Sequence, residues 1–148
     1  MMLLAISFFI MNLQISIAGE KALMYKLNKL SKNIKNLKPA FREMKPSIIS
    51  EFKDNFPAKG RKLNAPWAKR KHLYPWSILD KTGKLKKNWK GTSKRKQLEI
   101  VNPTKYARYH HFGTHVLPVR KLVGISTKIK NVIIKSITSF LLKSFKKY

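Results

Sequence analysis

The fifteen residues "YARYHHFGTHVLPVR" (106–120) hold the side chains best suited to chemistry. Three imidazoles, on His110, His111 and His115, could bind a metal or act as general bases, and Thr114 offers a hydroxyl for a base to activate. Spacing argues against both roles. Only His111 and His115 stand four apart, as two ligands on one helical face would, and Gly113 lies between them. The chain has no cysteine and this segment no carboxylate, so neither a zinc centre nor an oriented catalytic imidazole is expected. The plainer role is a histidine that hydrogen-bonds backbone in a turn.

Elsewhere the chemistry is electrostatic. Lys and Arg number 33 against six Asp and Glu, a formal charge of +27. Such a surface repels itself and calls for a polyanion, a membrane or a partner that tolerates the charge. Nucleic acid is the first candidate, because neutralised phosphates release counterions. Lysine outnumbers arginine, which favours diffuse phosphate contact over bidentate reading of bases. An AT-rich genome also enriches lysine, so charge alone does not decide. The six carboxylates (Glu20, Glu43, Glu51, Asp54, Asp80 and Glu99) are too scattered to favour a magnesium-dependent nuclease. The triplet Thr82, Gly83, Lys84 lacks the glycine frame of a phosphate loop. Trp67, Trp76, Trp89, Tyr74 and Tyr106 lie among cations and suit either stacking on bases or anchoring a core.

The elements that must position these groups can be read from periodicity. A chain of 148 residues with 43% hydrophobic content fits one small folded domain. Residues 1–19 carry no charge and allow two readings. One is a secretory signal cleaved after "SIA", although the positive n-region is missing. The preferred one treats 1–10 as an apolar extension and starts the domain at Met11, with Leu13, Ile15 and Ile17 alternating as in a half-buried strand. A membrane span is not expected, since Asn12 and Gln14 interrupt the run.

Leu23, Leu27, Leu30, Ile34 and Leu37 predict a long amphipathic helix ending at Lys38 and Pro39. A second helix follows, with Phe41, Met44, Ile48, Ile49 and Phe52 buried and a kink or restart at Pro46. Residues 56–96 read as an extended basic loop with short elements, "SILD" and "KLKKNW", around a turn at Thr82 and Gly83. Leu98 and Ile100 oppose Glu99 in a strand stopped by Asn102 and Pro103. Ser126 caps a C-terminal amphipathic helix from about Thr127. Its buried face carries Ile129, Ile133, Ile137, Phe140 and Ser144, widened by Val132, Ile134 and Leu141. The expectation is a small α+β fold with a short antiparallel sheet, occupying 11–148 as a single domain.

One ordered set of short motifs runs through this frame. Tyr106, Ala107, His110, Phe112 and Gly113 form Y-A-x-x-H-x-F-G, followed by Pro118, Arg120 and Gly124 before the last helix. Upstream stand Trp67, the pair Ile78 and Leu79, and Thr82, Gly83 and Leu85. Across residues 11–142 this set resembles the phage virion morphogenesis, or tail completion, family. The resemblance implies a structural protein of the head–tail junction, located in the virion neck or tail and in the host cytoplasm during assembly. It implies a homo-oligomeric ring of six or twelve copies that docks on connector or portal-side and tail proteins, with no enzymatic activity, cofactor or membrane. Trp67, Thr82, Gly83, Leu85, Tyr106, Ala107, His110, Phe112, Gly113, Pro118, Arg120 and Gly124 would then shape subunit interfaces. In that role Gly113 and Gly124 supply unusual backbone angles, Pro118 an extended segment, and Tyr106 and Phe112 anchor the turn. Arg120 would pair with a carboxylate at a subunit boundary. Basic residues of the loop (Lys84, Lys86, Lys87, Lys90, Lys94, Arg95 and Lys96) would face packaged DNA. The alternatives are a small basic nucleic-acid-binding protein of another fold and a secreted cationic, membrane-active protein.

Overall fold

The computed structural model describes residues 20–146, so the extension at 1–10 and the strand expected from Met11 lie outside it. Within it run α1 (Glu20–Ile34), α2 (Lys38–Asp54), a 3-10 turn (Arg61–Leu63), α3 (Lys84–Lys87), β1 (Lys90–Ser93), β2 (Leu98–Val101), α4 (Ala107–Phe112) and α5 (Thr127–Lys146). This is a small α+β arrangement in which N- and C-terminal helices flank a two-stranded antiparallel sheet.

Pro39 opens α2 rather than closing a longer helix, because its missing N–H costs nothing in a first turn. The junction is pinned where Leu37 N–H donates to the carbonyl of Arg95 at 2.8 Å. Pro46 was expected to kink or restart this helix, yet α2 runs through it unbroken. Pro46 and Arg42, four residues before it, are both exposed, so water can satisfy the carbonyl left without a donor. Ala40, Met44, Ile48 and Phe52 are buried as a stripe along α2, with Phe41 and Ile49 half-buried beside them.

The sheet pairs Lys90 with Val101 and Ser93 with Leu98. Its first strand falls inside the region expected to be loop. Four residues, "KGTS", are too short to show alternation, and Gly91 hides the strand further. That glycine admits α2: a Cβ there would stand 2.6 Å from Lys45 Cδ.

The core joins α2 to residues from the irregular stretches. Phe52 packs on Trp89 with centroids 5.1 Å apart, and Phe56 meets Trp67 edge-on at 5.3 Å. Trp67 and Trp89 are therefore core anchors, each contributing about 1.5–3 kcal/mol by burial. Leu85, Leu122 and Ile129 complete that cluster.

Ser126 caps α5 as expected, its Oγ accepting from Ile129 N–H at 3.2 Å. One turn of α5 is tied to α2 by Lys128, whose Nζ lies 2.7 Å from Oε2 of buried Glu51. Ile134, assigned to the buried face of α5, is instead 64% exposed. On α1, Leu23, Leu27 and Ile34 are also exposed, so the expected stripe is only partly covered. No described helix is long and apolar enough to cross a membrane.

Candidate functional site

The sequence motifs meet where three segments cross. A turn at 55–60 sets up the first. Gly60 sits at φ +88°, its N–H donates to Asn55 O at 3.0 Å, and Lys59 O accepts from Trp67 N–H at 2.8 Å. A Cβ at Gly60 would lie 2.1 Å from Ala65 O, so only glycine fits this turn. Trp67 is thereby held with its indole Nε1 donating to Lys121 O at 2.8 Å.

The other two segments are 110–111 and 120–122. Arg120 N–H donates to His110 O at 2.7 Å, and Leu122 N–H donates to His111 Nδ1 at 3.1 Å. A histidine bonding backbone was anticipated, and His111 is the one that does so. Arg120 is only 6% exposed. Its Nε donates to Ala68 O at 3.1 Å and its Nη2 to Lys69 O at 3.5 Å. The guanidinium expected to seek a carboxylate across a boundary thus spends two donor nitrogens inside the chain.

The stretch expected as a turn is wound into α4, with Ala107 as its buried residue. Tyr106 and Phe112, expected as anchors, are 41% and 74% exposed. Gly113 ends the helix at φ +76°, where a Cβ would stand 2.9 Å from Val119 Cγ2. Gly124 has no such constraint: its φ is not positive, and a Cβ would find Leu63 at 3.7 Å. The expectation of an unusual angle there is corrected. Thr114 closes a tight turn, its Oγ1 accepting from Leu117 N–H at 3.0 Å, and Pro118 follows, exposed, in irregular backbone.

Beside the crossing lies a cleft of about 350 Å³. Ile78, Leu79, Thr82, Leu85, Tyr106, His110 and Arg120 line it, so seven motif residues share one space. Its outer wall was not anticipated as a unit. Tyr74 stacks on Trp76 at 4.9 Å, Arg70 stands over Tyr74 at 5.4 Å, and Lys81 over Trp76 at 4.8 Å. Arg70 Nη2 also donates to the carbonyl of Trp76. The available signal was two cations closely followed by two aromatics in "RKHLYPW", with Lys81 five residues further on. Ile78 and Leu79 add apolar lining, and Leu79 adopts φ +61°, a left-handed angle costing about 1–2 kcal/mol outside glycine.

The charge in the cleft is all positive. Arg70, Lys81 and Arg120 line it and no carboxylate does. Burial, then Arg120, holds the His110 pKa below 6.5; burial, then Lys121, does the same for His111. Both shifts favour the neutral imidazole. His110 Nδ1 is buried with no partner among the described residues. Nothing there orients an imidazole against a hydroxyl, whereas three cations around an apolar floor can hold an anion. No group of three His, Cys, Asp or Glu among the described residues could hold a metal.

The lysines expected to face DNA form two groups. Lys84, Lys86 and Lys87 lie on α3 with Lys90 opening β1, and Lys86 pairs with Asp80 at 3.7 Å. Lys94, Arg95 and Lys96 form the hairpin tip with Lys35 nearby, and Lys94 pairs with Glu99 at 3.7 Å. No protein-family model, curated protein or solved structure matches this chain.

Proposed function

We propose that this chain is a structural subunit of the head–tail junction of a tailed phage, a neck or tail-completion protein assembling as a ring between head connector and tail. One observation carries the reading. The motifs that resemble the family, scattered over residues 67–120, come together at one crossing: Trp67, His110 and Arg120 in its hydrogen bonds, Thr82 and Leu85 in its cleft. Short matches gain weight when they share a structural role.

On this reading 11–148 is one domain, α1 and α5 are amphipathic, and 56–96 works as a basic loop facing DNA or acidic partners. Leu23, Leu27, Ile134 and Leu142 supply exposed apolar area that a ring neighbour would cover. The protein is not an enzyme; it acts in the virion and, before that, in the host cytoplasm. A genome moving through the ring needs weak, spread attraction, since tight lysine–phosphate contact would hold it.

Electron microscopy of the purified chain should show closed rings of six or twelve copies, and cross-linking should place it beside connector and tail proteins in particles. A monomer at every concentration, with particles that lack the chain, sinks the proposal. Neutralising Lys84, Lys86, Lys87 and Lys90 together should alter DNA retention while rings persist.

The charge of +27 favours a second reading, a free nucleic-acid-binding monomer. It requires affinity that falls steeply with salt and no ring.

A further inference from the structure

Arg120 is buried to 6% exposure, and among the described residues no carboxylate lies within ion-pair distance of it or of Arg70. A desolvated cation facing a second cation is costly unless an anion joins them. The guanidinium bonds use Nε and Nη2, which leaves Nη1 for a ligand. Two further depressions, of about 640 and 570 Å³, share Arg70 and Tyr74 with the cleft. They are lined by Lys59, Arg61, Lys69 and Lys71 and by no acid. Adjoining through these shared residues, the three form one basic groove around Arg70 and Tyr74.

We propose that this groove is a docking site for an extended acidic segment of a partner protein, which places an Asp or Glu carboxylate against Arg70 and Arg120 and a neighbouring apolar side chain against Ile78, Leu79 and Leu85. The occupant is a different protein, because this chain has six acids and already spends Glu51, Asp80 and Glu99 on its own lysines. Leu73 and Val116 are exposed along the groove and give a protein partner apolar area to cover. A nucleobase is served less well. Tyr74 already stacks on Trp76 and the ammonium of Lys81 stands over the same ring, so a base must compete with these contacts to stack. The inference is independent of the virion reading, since an acidic partner fits the groove in any assembly.

The test uses the full chain at physiological salt and an amidated peptide of alternating Glu and Leu, followed by tryptophan fluorescence. Binding should weaken at least tenfold with the Gln-for-Glu peptide, and at least tenfold in Arg70→Gln and in Lys81→Glu. The triple variant Lys94→Gln, Arg95→Gln, Lys96→Gln at the distant hairpin should bind as wild type. Thermal midpoints identify a variant that fails to fold, and Lys81→Glu, at an exposed position, then carries the result. Equal weakening by the hairpin variant would show mere attraction to net charge and overturn the proposal. So would a single-stranded oligonucleotide that displaces the peptide, binds more tightly and depends on the same Arg70 and Lys81.

Discussion

The indole Nε1 of Trp67 and the carbonyl oxygen of Lys121 lie 2.8 Å apart across 54 residues of chain. Asn55 Nδ2 donates to the same oxygen at 3.3 Å. One carbonyl thus fastens the end of α2 and the segment after Gly60 to the irregular stretch that carries Arg120. The fastening stands next to Arg120, which the same stretch presents to the cleft.

Trp67 therefore contributes both packing and a hydrogen bond, and two variants separate them. Trp67→Phe keeps the contact with Phe56 and removes the donor, an expected loss of about 1–2 kcal/mol. Trp67→Ala also removes the ring and should cost about 3–5 kcal/mol. Urea unfolding measures both. Equal losses would mean that packing contributes little, contrary to the burial of the ring.

Glycine substitutions discriminate between the two reasons for having glycine. Gly60→Ala meets a left-handed φ and a backbone oxygen at 2.1 Å, and should cost about 2–5 kcal/mol. Gly124→Ala meets neither and should change stability by under about 1 kcal/mol. A reversed order would place the conformational demand at Gly124, where the motif resemblance put it.

What the sequence makes legible follows from how local each signal is. The cap at Ser126 and the buried stripe of α2 are readable because a helix repeats its partners every three or four residues. The strand of β1 is not, since four residues with a glycine carry no period and the connecting tip, Lys94 to Gln97, has none of the Gly, Asn or Asp that signal a hairpin turn. The motif from Tyr106 to Arg120 is readable as a unit, but its anchors are not: Ala107 is buried while Tyr106 and Phe112 face outward. Arg70 and Lys81 stay hidden because irregular backbone brings them to Arg120 with no fixed spacing.

Acid should weaken the crossing. Both His110 and His111 have pKa values lowered from 6.5 in the folded chain. The unfolded chain therefore binds more protons just below that value, and stability falls as pH drops from 6.5 through the folded values. Protonation of His111 at Nδ1 also removes the acceptor used by Leu122 N–H. Denaturation midpoints at pH 7.5 and 5 should differ, and His110→Gln with His111→Gln should flatten the slope. NMR titration that finds either imidazole above 6.5 would refute the assignment.

The ion pair joining α2 to α5 predicts the opposite pH limb. Glu51 is 2% exposed, so its carboxylate depends on the 2.7 Å contact with Lys128. The hydrogen bond to Glu51, then its charge, raises the Lys128 pKa above 10.5. Its contribution is fully present below 10.5 and is lost as pH rises through the folded value. Many other lysines discharge in that range and relieve repulsion, so the readout must be a difference. The stability gap between wild type and Lys128→Met should be constant from pH 7 to 9 and close above 10.5. Lys128→Met leaves a buried carboxylate alone, whereas Glu51→Leu with Lys128→Met removes both charges. The double variant should therefore be more stable than Lys128→Met by itself. If it is less stable, the pair holds the two helices by more than mutual neutralisation, and the account of a desolvated acid needing its partner is wrong.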